Sequence, residues 1–153
     1  IVRAMPNTPA MVGEGMTGLS WSDDDFSESE RTELMQFFTS FGKAETVPEN
    51  LMDAVTAASG SSPAFIYMMI EALADGVVKY GMPRDKAYTF VSQAVLGSAK
   101  MVLETGEHPG LLKDNVCSPG GTTIAAVAEL EASGFRSSLI KAASAVCDRC
   151  RNM

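Results

Sequence analysis

Residues 49–81 read ENLMDAVTAASGSSPAFIYMMIEALADGVVKYG, and the fold turns on how they are read. The stretch carries a long helical pattern interrupted at SGSSPA. There Gly60 relaxes the backbone and Pro63 has no N–H to donate, so a break is expected. From Ala64 to Tyr80 the segment is apolar nearly all round. A helix of that kind has no solvent face, so either its own domain or a partner subunit must cover it. Gly81 and Pro83 close it.

Downstream the pattern stays helical. RDKAYTFVSQAVLGSAKMVLET (84–105) is the next helix, stopped by Gly106, and PGLLKDNV (109–116) is a short one. TTIAAVAELEAS (122–133) ends at Gly134, and SSLIKAASAVCDRCRNM (137–153) is the last. Several of these helices lack a polar face, and ten methionines suit adaptable buried contacts. An intertwined helical dimer is expected, with a monomeric bundle as the alternative.

Upstream the character is mixed. IVRAM (1–5) reads as a strand ended by Pro6, MTGLSWS (16–22) as a second strand and KAETV (43–47) as a third. Between them SDDDFSESERTELMQFFTSFG (22–42) reads as a helix. Ser27 and Glu30 fit a capping box, Asp23, Asp24 and Asp25 sit at the positive helix end, and Gly42 is the expected stop. Strand, strand, helix, strand is the order expected at the tail of an α/β domain. The opening IVRAMPNTPA has no initiator Met, and the chain is expected to be a fragment.

A net charge of −7 argues against nucleic acid or an anionic membrane as the main partner, since both select basic surfaces. No apolar run approaches the roughly 18 residues of a membrane span, and a cytoplasmic protein is expected. Cys117, Cys147 and Cys150 make no disulfide framework, and Cys147-x-x-Cys150 near a chain end is a weak motif. No metal site is expected.

The chemistry concentrates in CSPGGTT (117–123), where Gly120 and Gly121 precede a helix starting near Thr122. The first N–H groups of a helix have no intrahelical partners, and together with the helix dipole they attract a carboxylate or phosphate. Ser118, Thr122 and Thr123 add hydroxyls that donate and accept. On composition alone the stretch reads as readily as a plain helix start, with Thr122 as the cap and the glycines making the turn.

LKDNVCSPGGTTIAAVAELEASGFRSSLIKAA (112–143) resembles the signature region of the pyrroline-5-carboxylate reductases. ASGSSPAFIYMMIEALADGVVKYGMPRDKA (58–87) and VRAMPNTPA (2–10) resemble the same family in the same order. The resemblance implies a mainly α fold, in which 48–153 form a helical dimerisation and substrate-binding domain with interleaved helices. Residues 1–47 would be the residual strands and helix of a truncated Rossmann domain. It implies reduction of a cyclic imine carboxylate to L-proline with hydride from NADPH or NADH. By the same resemblance Ser118, Pro119, Gly120, Gly121, Thr122 and Thr123 hold the substrate, and the Thr123 hydroxyl reaches the ring nitrogen. Asn7 and Thr8 match a segment near the nicotinamide, and Ser59, Gly60 and Ser61 match the helix break lining the site. A homodimer is implied, which in many members is built further into rings of dimers.

One departure is large. The one G-x-G-x-x-G match, GEGMTG (13–18), follows a turn and lacks the strand-to-helix context a dinucleotide fingerprint needs. The chain alone is therefore expected not to turn over. Two other readings stand beside this one: another imine or 3-hydroxyacid reductase of the same architecture, and a non-enzymatic helical dimer that binds a small carboxylate. His108 reads as a helix-start residue and Lys113 with Asp114 as an exposed ion pair.

Overall fold

The computed structural model describes residues 1–152 apart from the Asp23 side chain. The role expected of Asp23 and the reach of the last helix to Met153 therefore lie outside the described residues. The chain divides into two compact units. One runs from Ile1 to Phe65 and includes the chain from Leu139 onward; the other is Ile66–Ser138.

In the first unit, strands β1 (Arg3–Met5), β2 (Gly15–Ser20) and β3 (Gly42–Thr46) form one sheet with β2 in the middle. β1 runs antiparallel to β2 in the register Arg3↔Ser20 to Met5↔Gly18. β3 runs parallel to β2, from Gly15↔Gly42 to Leu19↔Thr46. A parallel pair needs a crossover, and helix α1 (Glu28–Thr39) supplies it. The short helix α2 (Met52–Val55) lies on the sheet at Gly18, where an added Cβ would stand 2.4 Å from a Val55 methyl. Among the described residues of this unit, Leu19, Met52 and Ala57 are the buried apolar ones.

Two details of α1 differ from expectation. The acidic triplet forms its own short 3-10 turn, Asp23–Asp25, and the residues of the helix's first turn that carry negative charge are Glu28 and Glu30. Gly42 does not stop the helix, which ends at Ser40. It opens β3 instead, at φ +150, so close to its partner strand that a Cβ would lie 2.1 Å from the Gly15 carbonyl oxygen. The sequence pattern could not separate a glycine that ends a helix from one that lets two strands meet.

The capping box forms as expected. The Ser27 hydroxyl accepts from the Glu30 N–H, and the Glu30 carboxylate accepts from the Ser27 N–H at 2.7 Å. These bonds, the Ser27 hydroxyl first, hold the Glu30 carboxyl below its usual value of 4.5. A depressed carboxyl stabilises the fold above its unfolded pKa and loses that contribution as the pH falls through its folded pKa. Glu30→Gln is thus expected to lower the melting midpoint at pH 7, with the gap to the parent chain closing below about pH 4. A gap that persists at pH 3 would contradict this.

After α2 the backbone does not stop at SGSSPA. It widens into one π-helical stretch, Thr56–Gly60, closed by the Ser61 N–H to the Thr56 carbonyl at 2.8 Å, and continues as α3 (Ser62–Val78). The second unit holds most of α3, then α4 (Arg84–Thr105), α5 (Pro109–Val116) and α6 (Thr122–Ala132). α7 (Phe135–Arg151) returns to the first unit, where the Cys147 thiol lies 3.7 Å from the Asp53 carbonyl. The fold is mainly α, preceded by a small mixed sheet.

Among the described apolar residues of the second unit, only Ala74 and Ala87 are buried. Along α3 and α4 the large apolar side chains stand open: Met68 is 69% exposed, Leu73 49% and Phe90 65%. The helix that reads as needing cover has only part of it within its own unit. No helix among the described residues is long and apolar enough to cross a membrane.

Candidate functional site

The loop between α5 and α6 is built by its own sequence. Ser118 to Gly121 form a turn closed by the Gly121 N–H to the Ser118 carbonyl at 3.0 Å. Pro119 and Gly120 occupy the two central positions; Gly120 adopts φ +69, a value that suits glycine at the third residue of such a turn. An added Cβ on Gly120 would meet open space, whereas one on Gly121 would lie 2.4 Å from the Ser118 hydroxyl oxygen. The first glycine serves the turn, and the second lets Ser118 fold over the helix start.

Gly121 is the N-cap of α6, in extended conformation, and no side chain caps the helix. Thr122 is therefore the first helical residue and does not act as the cap. Thr122 is exposed and Thr123 half-buried, and neither hydroxyl has a protein partner among the described residues. The loop thus presents uncapped N–H groups, the positive end of an 11-residue helix and free hydroxyls together. That arrangement suits a small carboxylate, with a hydroxyl beside it to exchange a hydrogen bond.

One turn upstream, Lys113 pairs with Asp114, both largely exposed. The Asp114 hydrogen bond, then its charge, raises the Lys113 ammonium above its usual value. The ion pair is the surface feature expected, and Asp114 offsets positive charge that Lys113 would lend the loop. His108 is the N-cap of α5, its Nδ1 accepting the Gly110 N–H at 3.0 Å. All three cysteines are free, and no group of three or more metal-ligating side chains converges among the described residues.

In the first unit Asn7 and Thr8 sit where β1 gives way to a 3-10 turn, Thr8–Val12. Asn7 Nδ2 donates to the Ser59 carbonyl at 3.1 Å, and its Oδ1 accepts the Met16 N–H at 2.9 Å. Thr8 is exposed. The structure therefore brings Asn7 to the π-helical stretch that contains Ser59 and Gly60. Gly60 in turn faces the Met5 side chain, with an added Cβ 3.3 Å from its sulfur. Sequence reading singled out each of these stretches but missed their joining; the spacing Ser59-x-x-x-Pro63 was the available signal. GEGMTG cradles no phosphate here: Gly13 ends the 3-10 turn, and residues 15–18 lie within β2.

Residues 49–153 match the family model described as pyrroline-5-carboxylate reductase dimerisation. The chain belongs to the pyrroline-5-carboxylate reductase family. A pyrroline-5-carboxylate reductase of Escherichia coli is 55% identical over 142 residues, covering 93% of this chain and 52% of that protein. One from Synechocystis sp. is 50% identical over 153 residues, which is 100% of this chain and 57% of the relative. Among solved structures, the Plasmodium falciparum pyrroline carboxylate reductase with NADP bound superposes with a TM-score of 0.89 at 36% identity. That match covers 97% of this chain and 61% of the other. The chain spans about half the length of the curated pyrroline-5-carboxylate reductases it matches.

Proposed function

We propose that this chain is the dimerising, substrate-holding part of an enzyme that reduces 1-pyrroline-5-carboxylate to L-proline with hydride from NADPH or NADH. In this reading residues 48–153 are the helical domain and residues 1–47 the end of a dinucleotide-binding domain. The observation that carries it is the uncapped start of α6 behind the Pro119–Gly120–Gly121 turn, with two free threonine hydroxyls, in a chain of this family.

The substrate is a cyclic imine bearing one carboxylate. The N–H groups at the start of α6 and the Ser118 and Thr122 hydroxyls hold the carboxylate, which leaves the ring nitrogen to the Thr123 hydroxyl. A bound nicotinamide supplies a hydride to the imine carbon. A protonated imine is already electrophilic, so what these residues contribute is placement. Thr123 holds the nitrogen while it gains the electron pair of the C=N bond and becomes the proline amine. No acid–base pair is required of the loop, and none is present in it. GEGMTG offers the cofactor's phosphates no cradle, because its glycines are spent on a turn and a strand. Asn7 and Thr8 are assigned to its nicotinamide end.

A homodimer through the helical unit belongs to the same proposal. The chain exposes 10751 Å², whereas a folded monomer of 16.2 kDa exposes about 7,500 Å². Even two separate globules of half that mass would together expose only about 9,000 Å². Two chains that each cover the excess over that figure would bury roughly 3,500 Å² between them, within the range of obligate interfaces, roughly 2,000 Å² and above. Two apolar grooves mark where it lies: one of about 540 Å³ between α3 and α4, including Met69, Leu73 and Val95, and one of about 490 Å³ between α4 and α5, including Met101 and Leu112.

The test is pyrroline-5-carboxylate-dependent NADPH oxidation. The chain joined behind the dinucleotide-binding half of a relative is expected to turn over, and the chain alone is not. A folded hybrid that oxidises neither NADPH nor NADH would remove the reductase reading. Turnover by the chain alone would remove the division of labour.

A further inference from the structure

In the first unit the end of β1 and the proline at position 63 each leave a backbone group without its regular partner, and one side chain takes up both. The β1–β2 register ends at Met5↔Gly18; carried on, it sets Pro6 opposite Thr17 and Asn7 opposite Met16. The strand has ended there, and the Met16 N–H is taken by the Asn7 side-chain Oδ1 at 2.9 Å. In the helix, the Ser59 carbonyl would accept from the residue four positions on. That residue is Pro63, which has no N–H. Asn7 Nδ2 donates to this carbonyl at 3.1 Å. Asn7, Met16 and Ser59 are all half-buried, where an unpaired backbone group is costly.

We infer that Asn7 is a positioning residue: its amide locks the Met5–Thr8 segment onto the helix break at Ser59. The functional part of this rests on the reductase reading, which assigns Asn7 and Thr8 to the cofactor and Ser59–Ser61 to the lining of the site. Asn7 spends one donor and one acceptor on the scaffold, and acts through its neighbours. Thr8 and Ser61 keep hydroxyls with no protein partner among the described residues, and these are the groups left to face ligands. The bridge needs a donor and an acceptor on one short group, and Gln carries the same amide only on a chain one methylene longer. Asp lacks the donor and Ser lacks the reach.

The experiment is a double-mutant cycle of Asn7→Ala with Pro63→Ala. Asn7→Ala orphans both backbone groups and is expected to lower the melting midpoint of the chain by about 5–10 °C. In the hybrid enzyme it is expected to lower kcat about 10- to 100-fold, the scale of a small misplacement, with the NADPH dissociation constant within about twofold. Pro63→Ala restores an N–H four residues beyond Ser59. In the Asn7→Ala background it should recover about half of each loss; in the Asn7 background no such gain is expected.

Equal effects of Pro63→Ala in the two backgrounds would overturn the bridge. A tenfold weaker NADPH affinity at an unchanged melting midpoint would overturn it too, by making Asn7 a direct contact. The stability arm does not depend on turnover. An inactive hybrid with the cycle intact removes the reductase reading and leaves the bridge, whereas a flat cycle in an active hybrid does the reverse.

Discussion

Thr123→Ala in the active hybrid lowers kcat/KM for pyrroline-5-carboxylate by about two to three orders of magnitude and leaves the chain folded and dimeric. The size follows from the role proposed for the hydroxyl: a hydrogen bond to a ring nitrogen whose charge changes in the reaction, a contribution of roughly 10²- to 10³-fold. Intact folding follows from the structure. Thr123 lies inside the first turn of α6, the N-cap is Gly121, and no side-chain cap is lost with the hydroxyl. Its removal costs stability of only about 0.5 kcal/mol or less. Steady-state kinetics beside a melting curve decide it. Near-parental kcat/KM, or a melting loss large enough to account for the lost activity, would remove Thr123 from the site. Thr123→Ser, which keeps the hydroxyl, is expected to retain most of the activity.

Leu73→Glu is expected to split the proposed dimer. Leu73 is 49% exposed on α3 and lines the groove between α3 and α4. In a monomer a charge at such a position meets water and changes stability by only a few tenths of a kcal/mol. In a dimer that covers the groove, two carboxylates are carried out of water without partners, at several kcal/mol each. Sedimentation equilibrium of the parent chain is expected to give about twice the 16.2 kDa chain mass, and the variant a falling or single-chain mass. A parent that sediments as one chain would overturn the dimer. A variant that stays dimeric would move the interface away from this groove.

These expectations depend to different degrees on what could be read in the chain. The capping box at Ser27 and Glu30 was legible because its partners are three residues apart, and the turn of Ser118 to Gly121 because Pro119 and Gly120 supply the dihedrals it needs. The break at SGSSPA was legible in place but not in kind. Pro63 announces a missing N–H, yet whether the helix stops or widens by one residue depends on who takes the freed carbonyl. Gly42 was misread for a similar reason. Its neighbours suit a helix end, but the oxygen that forbids a side chain there comes from Gly15 on another strand.

By itself, the sequence determined what local chemistry can enforce: the capped start of α1, the strand–strand–helix–strand order and a glycine turn before α6. Through its resemblance it also determined the family. Only the tertiary structure decided what depends on residues far apart in the chain. It joined Asn7 to Ser59 across 52 positions, set Gly42 against Gly15, and showed that much of the apolar length of α3 stands open in its own unit. The reason is physical. Backbone dihedrals and caps are set by neighbours within a few residues, whereas an orphaned carbonyl or an apolar face takes whatever partner the folded chain brings to it.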